Sequence, residues 1–231
     1  MKSAYARAVE LVDRLGICLV FPLENRAEPP SLWNGLHPRS KMRWDWDENA
    51  DPRVVSLWHL REKLARSGDV AYAKWFRGRA TFFSLPVFHA LLGTFAKKRI
   101  DIFRGLPRES MDILDLLRES SPRSTKQIRA DMDLKGRAFE SIFTHAMKAL
   151  WSRLLIVGVG EVADGAFPSL AVAATETMFE DVWLAREAVP GASAKRLEDV
   201  LAKHPVFARE LKKTTDELKK QPLLPLDDEF G

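Results

Sequence analysis

A run of three helical segments followed by two short strands, between Met111 and Thr175, most constrains how this chain can fold. The first helix is predicted over Met111–Glu119, where Ser110 can cap it and aliphatic residues recur on one side. The second helix is predicted over Thr125–Met132, which follows another capping serine, Ser124. A proline between the two segments separates them into two helices.

The third and longest helix is predicted over Arg137–Arg153, after a tight turn whose glycine, Gly136, suits a left-handed backbone. Its predicted apolar face consists of Phe139, Ile142, Phe143, Ala146, Met147 and Leu150. Two strands, Leu154–Val159 and Phe167–Val172, are predicted to form a hairpin around a turn-rich segment. This order indicates a winged helix-turn-helix, a unit that commonly places its third helix in a DNA groove. A packing or protein-docking module is the alternative.

The glycines of that hairpin match a dinucleotide-binding fingerprint over Gly158–Ala163. Such a fingerprint requires a helix directly after it, whose N-terminus holds the pyrophosphate. Asp164, Gly165 and Pro168 exclude that helix. We therefore predict that the glycines turn the wing and bind no nucleotide.

The first hundred residues are predicted to repeat part of this plan. The predicted elements are a helix over Ser3–Leu19, a tryptophan-rich ordered loop over residues 23–49, a helix over Pro52–Ser67, strands over Val70–Phe76 and Ala80–Ser84, and a helix over Leu85–Phe95. Arg77, Gly78 and Arg79 form the tip between the two strands. This order allows a second winged-helix-like unit.

The predicted fold class is mainly α with short β-hairpins, divided into three regions. These are an N-terminal helical domain with the tryptophan-rich loop and the basic hairpin (1–105), a winged helix-turn-helix (106–176), and C-terminal helices with a tail (177–231). The C-terminal helices are predicted over Thr177–Val189, Ala194–Lys203 and Phe207–Lys220.

Basic charge is concentrated in two parts of the chain, whose formal net charge is +4. Residues 61–100 carry nine basic and two acidic side chains, and residues 121–150 carry six and three. Residues 151–190, in contrast, carry two and six. Such clustering indicates a polyanion-binding face. A solvated face without a partner is the alternative.

The apolar segments are too short for a membrane protein or a secreted one. No run approaches the roughly 18 residues of a membrane span, and Ile17–Pro22 is too short for the apolar part of a signal peptide. We therefore expect a cytoplasmic protein without a membrane partner. The single cysteine, Cys18, has apolar neighbours and is predicted to be a buried, inert thiol.

Candidate DNA-binding residues lie in both basic regions. Within the predicted winged helix they are Arg123, Lys126 and Gln127 at the start of the second helix, and Arg137, Thr144, His145 and Lys148 on the polar face of the third. The hairpin adds Lys74, Arg77 and Arg79, with no acidic residue between Val70 and Ser84.

The hairpin is expected to contribute more affinity than the third helix does. Phosphate attraction follows local charge density, and the hairpin is purely basic near its tip. Glu161 and Asp164, by comparison, place negative charge at the predicted wing tip of the winged helix, where they would repel phosphate. We therefore expect Arg77 and Arg79 to matter more than Arg137 or Lys148.

No catalytic, metal-binding or cofactor-binding residues are predicted. Four residues alternate like calcium ligands: Asp45, Asp47, Asn49 and Asp51. Ala50 and Ser56, however, occupy the positions where a calcium loop requires glycine and glutamate. The five histidines show no zinc-type spacing. The acidic residues are better interpreted as partners of nearby basic side chains or as a solvated surface.

Two stretches resemble a known protein family. Pro122–Arg129, continuing through Gly136 and Arg137 to Leu154–Gly158, resembles the winged helix of proteins related to AlkZ, a bacterial crosslink-repair DNA glycosylase. Tyr72–Thr81 resembles relatives of that enzyme. The resemblance implies a helical winged-helix fold, duplex DNA as the partner and a role in DNA repair. The glutamine-x-glutamine motif associated with catalysis in that family has no counterpart in this sequence.

We therefore predict a winged-helix protein that binds double-stranded DNA and is related to DNA repair, without an identifiable catalytic site. Two alternatives stay open. One is a DNA glycosylase of the AlkZ-like class that acts on alkylated or crosslinked DNA. The other is a protein-interaction module that does not bind DNA. The sequence determines neither the DNA sequence or lesion recognised nor the oligomeric state.

Overall fold

Helices predominate in the fold, and the strands form two small sheets. The structure, a computed structural model, describes residues 2–44, 51–96, 101–164 and 168–220. Within these residues the strands form two antiparallel sheets of three strands each. No helix there combines the length and the apolar composition that crossing a membrane requires.

The first sheet belongs to the N-terminal part of the chain. Its elements are α1 (Ala4–Leu15), β1 (Ile17–Leu19), α2 (Leu32–Leu36), α3 (Pro52–Ser67), β2 (Val70–Phe76), β3 (Arg79–Ser84) and α4 (Leu85–Phe95). The strands lie in the order β1-β3-β2. The predicted helix over Ser3–Leu19 is therefore too long. Gly16, with a φ of 75°, ends α1, and the apolar residues after it pair with β3.

The second sheet repeats this order of elements. Its elements are α5 (Arg108–Glu119), β4 (Arg123–Ser124), α6 (Thr125–Asp131), a 3₁₀ turn over Arg137–Phe139, α7 (Glu140–Ser152), β5 (Ile156–Val162) and β6 (Ser169–Ala174). The strands lie in the order β4-β6-β5, so the earliest strand again pairs with the last one. The predicted succession of three helices and a hairpin is confirmed.

Two local predictions in this part are wrong. Ser110 does not cap α5, because that helix begins at Arg108. The buried hydroxyl of Ser110 instead donates a hydrogen bond to the Ala146 carbonyl at 3.1 Å. Gly158 and Gly160 do not turn the hairpin, because both lie inside β5 at a register shift. A side chain at Gly158 would collide with the ring of Tyr72, so this glycine permits close packing between the two sheets.

The C-terminal part is helical. It comprises α8 (Thr175–Met178), α9 (Glu180–Leu184), α10 (Gly191–Lys203) and α11 (Pro205–Lys220). The single helix predicted over Thr177–Val189 is instead the two short helices α8 and α9, which are separated by the non-helical backbone of Phe179. The tail after Lys220 lies outside the described residues.

Of the two hydrophobic core clusters in the described part of the chain, one contains residues of both sheets. Strand β5 packs against α3 and β2, and α7 also packs against β2. This shared cluster includes Ile17 and Phe83 from strands of the first sheet, Val157 from a strand of the second and Ile128 from α6. Cys18 is fully buried as predicted, and burial raises the pKa of its thiol.

Candidate nucleic-acid interface

A cleft lies where the β2–β3 hairpin faces α7. It consists of two adjoining cavities of about 520 and 960 Å³, which share Lys74, Arg77, Gly78 and Lys148 in their linings. We call the two cavities together the basic cleft. Lys74 and Arg77 come from the first basic region of the sequence and Lys148 from the second, so the fold brings the two regions together.

The hairpin is positioned by its turn. Arg77 and Gly78 both have positive φ angles, 52° and 72°, which match the right-handed twist of the flanking strands. The predicted hairpin with a glycine at its tip is thereby confirmed. The guanidinium group of Arg77 lies 5.1 Å from the ring of Phe76, while both arginines near the tip, Arg77 and Arg79, are exposed.

Helix α7 forms the opposite wall of the cleft. Its buried side contains Phe143, Met147 and Trp151, which also line the smaller cavity. Thr144 lines the smaller cavity and His145 the larger one. The predicted apolar face is confirmed only in part. Phe139, in the 3₁₀ turn before α7, and Ile142, in its first turn, are 39% and 40% exposed.

Helix α11 completes the larger cavity with further basic side chains. Six lysines and arginines of that lining have no carboxylate within ion-pair distance in the described part of the chain: Lys74, Arg77, Lys148, Arg209, Lys213 and Lys220. Glu210 and Glu217 also line it. Among the described residues, the cleft therefore carries more positive than negative charge.

Arg153 is a basic residue of this lining with a structural role. Its guanidinium group donates hydrogen bonds to the carbonyl oxygens of Ile102 and Arg104 at 2.8 and 2.7 Å. Burial lowers the pKa of Arg153. These bonds hold the segment before α5 against the end of α7.

The ammonium group of Lys74 is influenced by two charged residues near the cleft, Arg61 and Glu161. Partial burial lowers the pKa of its ammonium group, and the positive charge of Arg61 lowers that pKa further, whereas Glu161 acts in the opposite direction. Arg61 and Glu161 form a largely buried ion pair between α3 and β5. Lys74 thus lies at the edge of a charged cluster that joins the two sheets.

The family of this protein is shown by its sequence over almost the whole chain. Residues 3–217 match the AlkZ-related protein family. The chain belongs to that family. The match covers almost all of the described residues and confirms the resemblance that the two motifs indicated. Comparisons with curated proteins and with solved structures gave no match. Membership of the AlkZ-related family suggests a function connected with DNA repair.

In this AlkZ-related protein, half of the predicted site residues line neither cavity: Arg79, Arg123, Lys126, Gln127 and Arg137. Arg123 forms an ion pair with Asp131 at 2.7 Å. Gln127 takes part in a capping box, in which its side chain accepts a hydrogen bond from the Ser124 amide at 2.8 Å. Arg79 and Arg137 are exposed.

The structure shows hydrogen bonds to both acidic residues that were predicted at the wing tip, Glu161 and Asp164. The Glu161 carboxylate is turned inward, where it accepts hydrogen bonds from Arg61 and, at 3.3 Å, from Trp58 Nε1. Asp164 accepts a hydrogen bond from the Ser124 hydroxyl, and its backbone carbonyl accepts one from Lys126. The placement of Glu161 at an exposed tip is therefore wrong, since it pairs with Arg61 in a largely buried site. Repulsion of phosphate by this hairpin stays a prediction.

The sequence did not identify Trp75, Arg129 and the basic residues of α11 as part of the lining of the basic cleft. The basic face of α11 had a detectable signal, because Arg209, Lys213 and Lys220 recur at helical spacing. Arg129 lines the smaller cavity, stacked 3.8 Å above the ring centre of Phe143 and paired with Glu140 at 2.9 Å. No local pattern distinguishes it from a solvated arginine.

The acidic residues weighed as metal ligands are mostly outside the described residues. Only Asp51 of that set is described. It caps α3, accepting the amide hydrogen of Arg53 at 3.0 Å, and pairs with the guanidinium group of the same residue. These bonds to Arg53 lower the pKa of Asp51 to about 2.

Proposed function

We propose that this protein binds double-stranded DNA through the basic cleft, in a DNA-repair role. The observation that carries the proposal is the convergence on one concave surface of six cationic side chains from β2, its turn, α7 and α11, none of which has an ion-pair partner among the described residues. A polyanion that enters the cleft gains attraction from all six and releases the counterions it had condensed. Membership of the AlkZ-related family supports DNA as that polyanion.

We further propose that residues 106–176 act as a winged helix. The order α5, β4, α6, α7, β5, β6 and the pairing of β4 with β6 support this assignment. Thr144 and His145 are exposed on α7, which is the helix that a winged helix presents to a DNA groove. The matching order of elements around the first sheet supports a second winged-helix-like unit within residues 1–105.

The two units have different roles in this proposal. Strand β5 of the second hairpin is covered by α3 and β2, so that hairpin is a structural element and not a free wing. The β2–β3 hairpin of the first unit, in contrast, projects its basic tip beside α7. DNA that contacts α7 would therefore meet a hairpin supplied by the other unit.

The first prediction tests the cleft by charge reversal. Arg77→Glu combined with Lys148→Glu removes one cation from each wall, and we expect the slope of log affinity against log salt to fall by about 2. At low salt the affinity for a duplex should fall by about tenfold or more. Fluorescence anisotropy with a labelled duplex measures both quantities, and circular dichroism checks that the variant is folded.

Arg7→Glu combined with Lys63→Glu is the matched control. It changes the net charge equally, and both residues are exposed on α1 and α3 and line neither cavity. This control should bind nearly as well as the parent. Equal losses in the two double variants would show that only overall charge matters, and absence of binding by the parent at low salt would refute the proposed function.

A further inference from the structure

Lys74 lies where the two cavities of the basic cleft meet. Within β2, Val70–Phe76, it is the one residue classed as exposed, although the surrounding cleft partly desolvates its ammonium group; the other side chains of that strand are buried. Its side chain lines both cavities. No carboxylate lies within ion-pair distance of its ammonium group in the described part of the chain. The amine is therefore open to a ligand from either cavity.

A buried donor without a partner lies beside it. Trp75 is 2% exposed, lines the larger cavity and has no hydrogen-bond acceptor for its Nε1–H among the described residues. A buried donor without an acceptor is costly, and the Trp75 side chain that carries it forms part of the wall of the larger cavity. The surrounding cations favour a phosphate oxygen. The cavity volume of about 960 Å³ is ample for one nucleotide.

We propose that Lys74 forms a covalent imine with the sugar aldehyde of an abasic site in DNA held by the basic cleft. This inference rests on the proposed DNA binding and adds a reaction to it. The neutral amine attacks C1′ of the ring-opened deoxyribose, and the carbonyl oxygen leaves as water. The ligand class is thus an abasic nucleotide, with its flanking phosphates held by the cationic side chains of the cleft.

The imine makes strand cleavage possible without another cofactor. It acidifies the hydrogen on C2′, which passes to water as a proton. The electron pair left behind forms the C2′–C3′ double bond, and the C3′–O bond breaks with its electrons on the 3′-phosphate. Hydrolysis of the imine then releases an unsaturated aldehyde and restores the amine. No oxidant or reductant is consumed.

The environment of Lys74 favours its nucleophilic form. Partial burial and the nearby charge of Arg61 lower the pKa of Lys74, so a larger fraction of the amine is neutral at a given pH. A lysine on the open surface would remain almost entirely protonated at neutral pH and would react slowly.

Borohydride trapping tests the proposal. The full-length protein is incubated with a duplex that carries one abasic site, and sodium borohydride reduces any imine to a stable amine crosslink. We expect a crosslinked species with the parent, none above background with Lys74→Arg, and an undiminished one with Lys63→Arg, a substitution on α3 outside the cleft. Mass spectrometry of the digested adduct should locate the modification on Lys74.

The Lys74→Arg variant separates this inference from the proposed function. Arginine keeps the positive charge but forms no imine. Crosslinking is therefore compared at a protein concentration that saturates the duplex in both the parent and the variant, so that a change in DNA affinity does not alter the crosslink yield. Normal binding with no crosslink in the parent, or equal crosslinking by Lys74→Arg, would overturn the inference while leaving DNA binding intact. Failure of the parent to bind the abasic duplex would count against both.

Discussion

Arg61 and Glu161 form a largely enclosed ion pair that joins α3 to β5. Their side chains are 9% and 10% exposed, and the guanidinium group lies 4.0 Å from the ring centre of Trp58. Trp58 also donates a hydrogen bond to the carboxylate. Burial makes each charge dependent on the other, because neither can regain its hydration shell while the protein is folded.

Removing one member of this pair should therefore be costly. We expect Glu161→Ala to lower the free energy of unfolding by about 3 kcal/mol, since it leaves the Arg61 charge buried and uncompensated. Urea denaturation followed by circular dichroism measures the change. Glu62→Ala, which breaks the more exposed pair with Arg66, should cost less than about 1 kcal/mol. Equal decreases in the free energy of unfolding would mean that burial does not increase the contribution of the Arg61–Glu161 pair to stability.

At the scale of elements, the sequence predicts what is periodic and local. The helical repeat of Phe143, Met147 and Leu150 correctly places the buried side of α7, and the Arg77-Gly78 turn correctly places the hairpin. The strands β1 and β4 were missed because two or three residues show no periodicity. Glu161 was misplaced because its partner lies 100 residues away in sequence.

The two glycines in β5 were also placed wrongly from the sequence, because the residue against which Gly158 packs, Tyr72, is distant along the chain. Gly158 faces the buried ring of Tyr72, so we expect Gly158→Ala to force overpacking between the sheets and to destabilise the protein by about 1–3 kcal/mol. Gly191→Ala, at the start of α10 with no atom near the added methyl group, should be neutral or slightly stabilising. Thermal unfolding of the two variants measures the difference. A stable Gly158→Ala protein would show that β5 can shift away from Tyr72.

At the scale of the whole molecule, the basic cleft depends on how the two sheets are placed. Charge clustering in the sequence indicated both basic regions, yet Lys74 and Lys148 could face each other or lie on opposite sides with the same local structure. Their meeting follows from the packing of β2 against α7 and β5. Long-range packing of this kind leaves no local pattern, so the residues of the site were partly predictable while their arrangement was not.

The shared core predicts that both sheets unfold together. Ile128 in α6 is fully buried in the cluster that also includes residues of the first sheet, so Ile128→Ala should destabilise the whole protein by about 3 kcal/mol. Amide hydrogen exchange should then accelerate roughly 100-fold in β2 as well as in β5. Leu184→Ala, whose side chain is 70% exposed, should leave exchange unchanged in both strands. Acceleration confined to α5–α7 and β4–β6 would show instead that the two sheets belong to independently unfolding domains, joined at the cleft but stabilised separately.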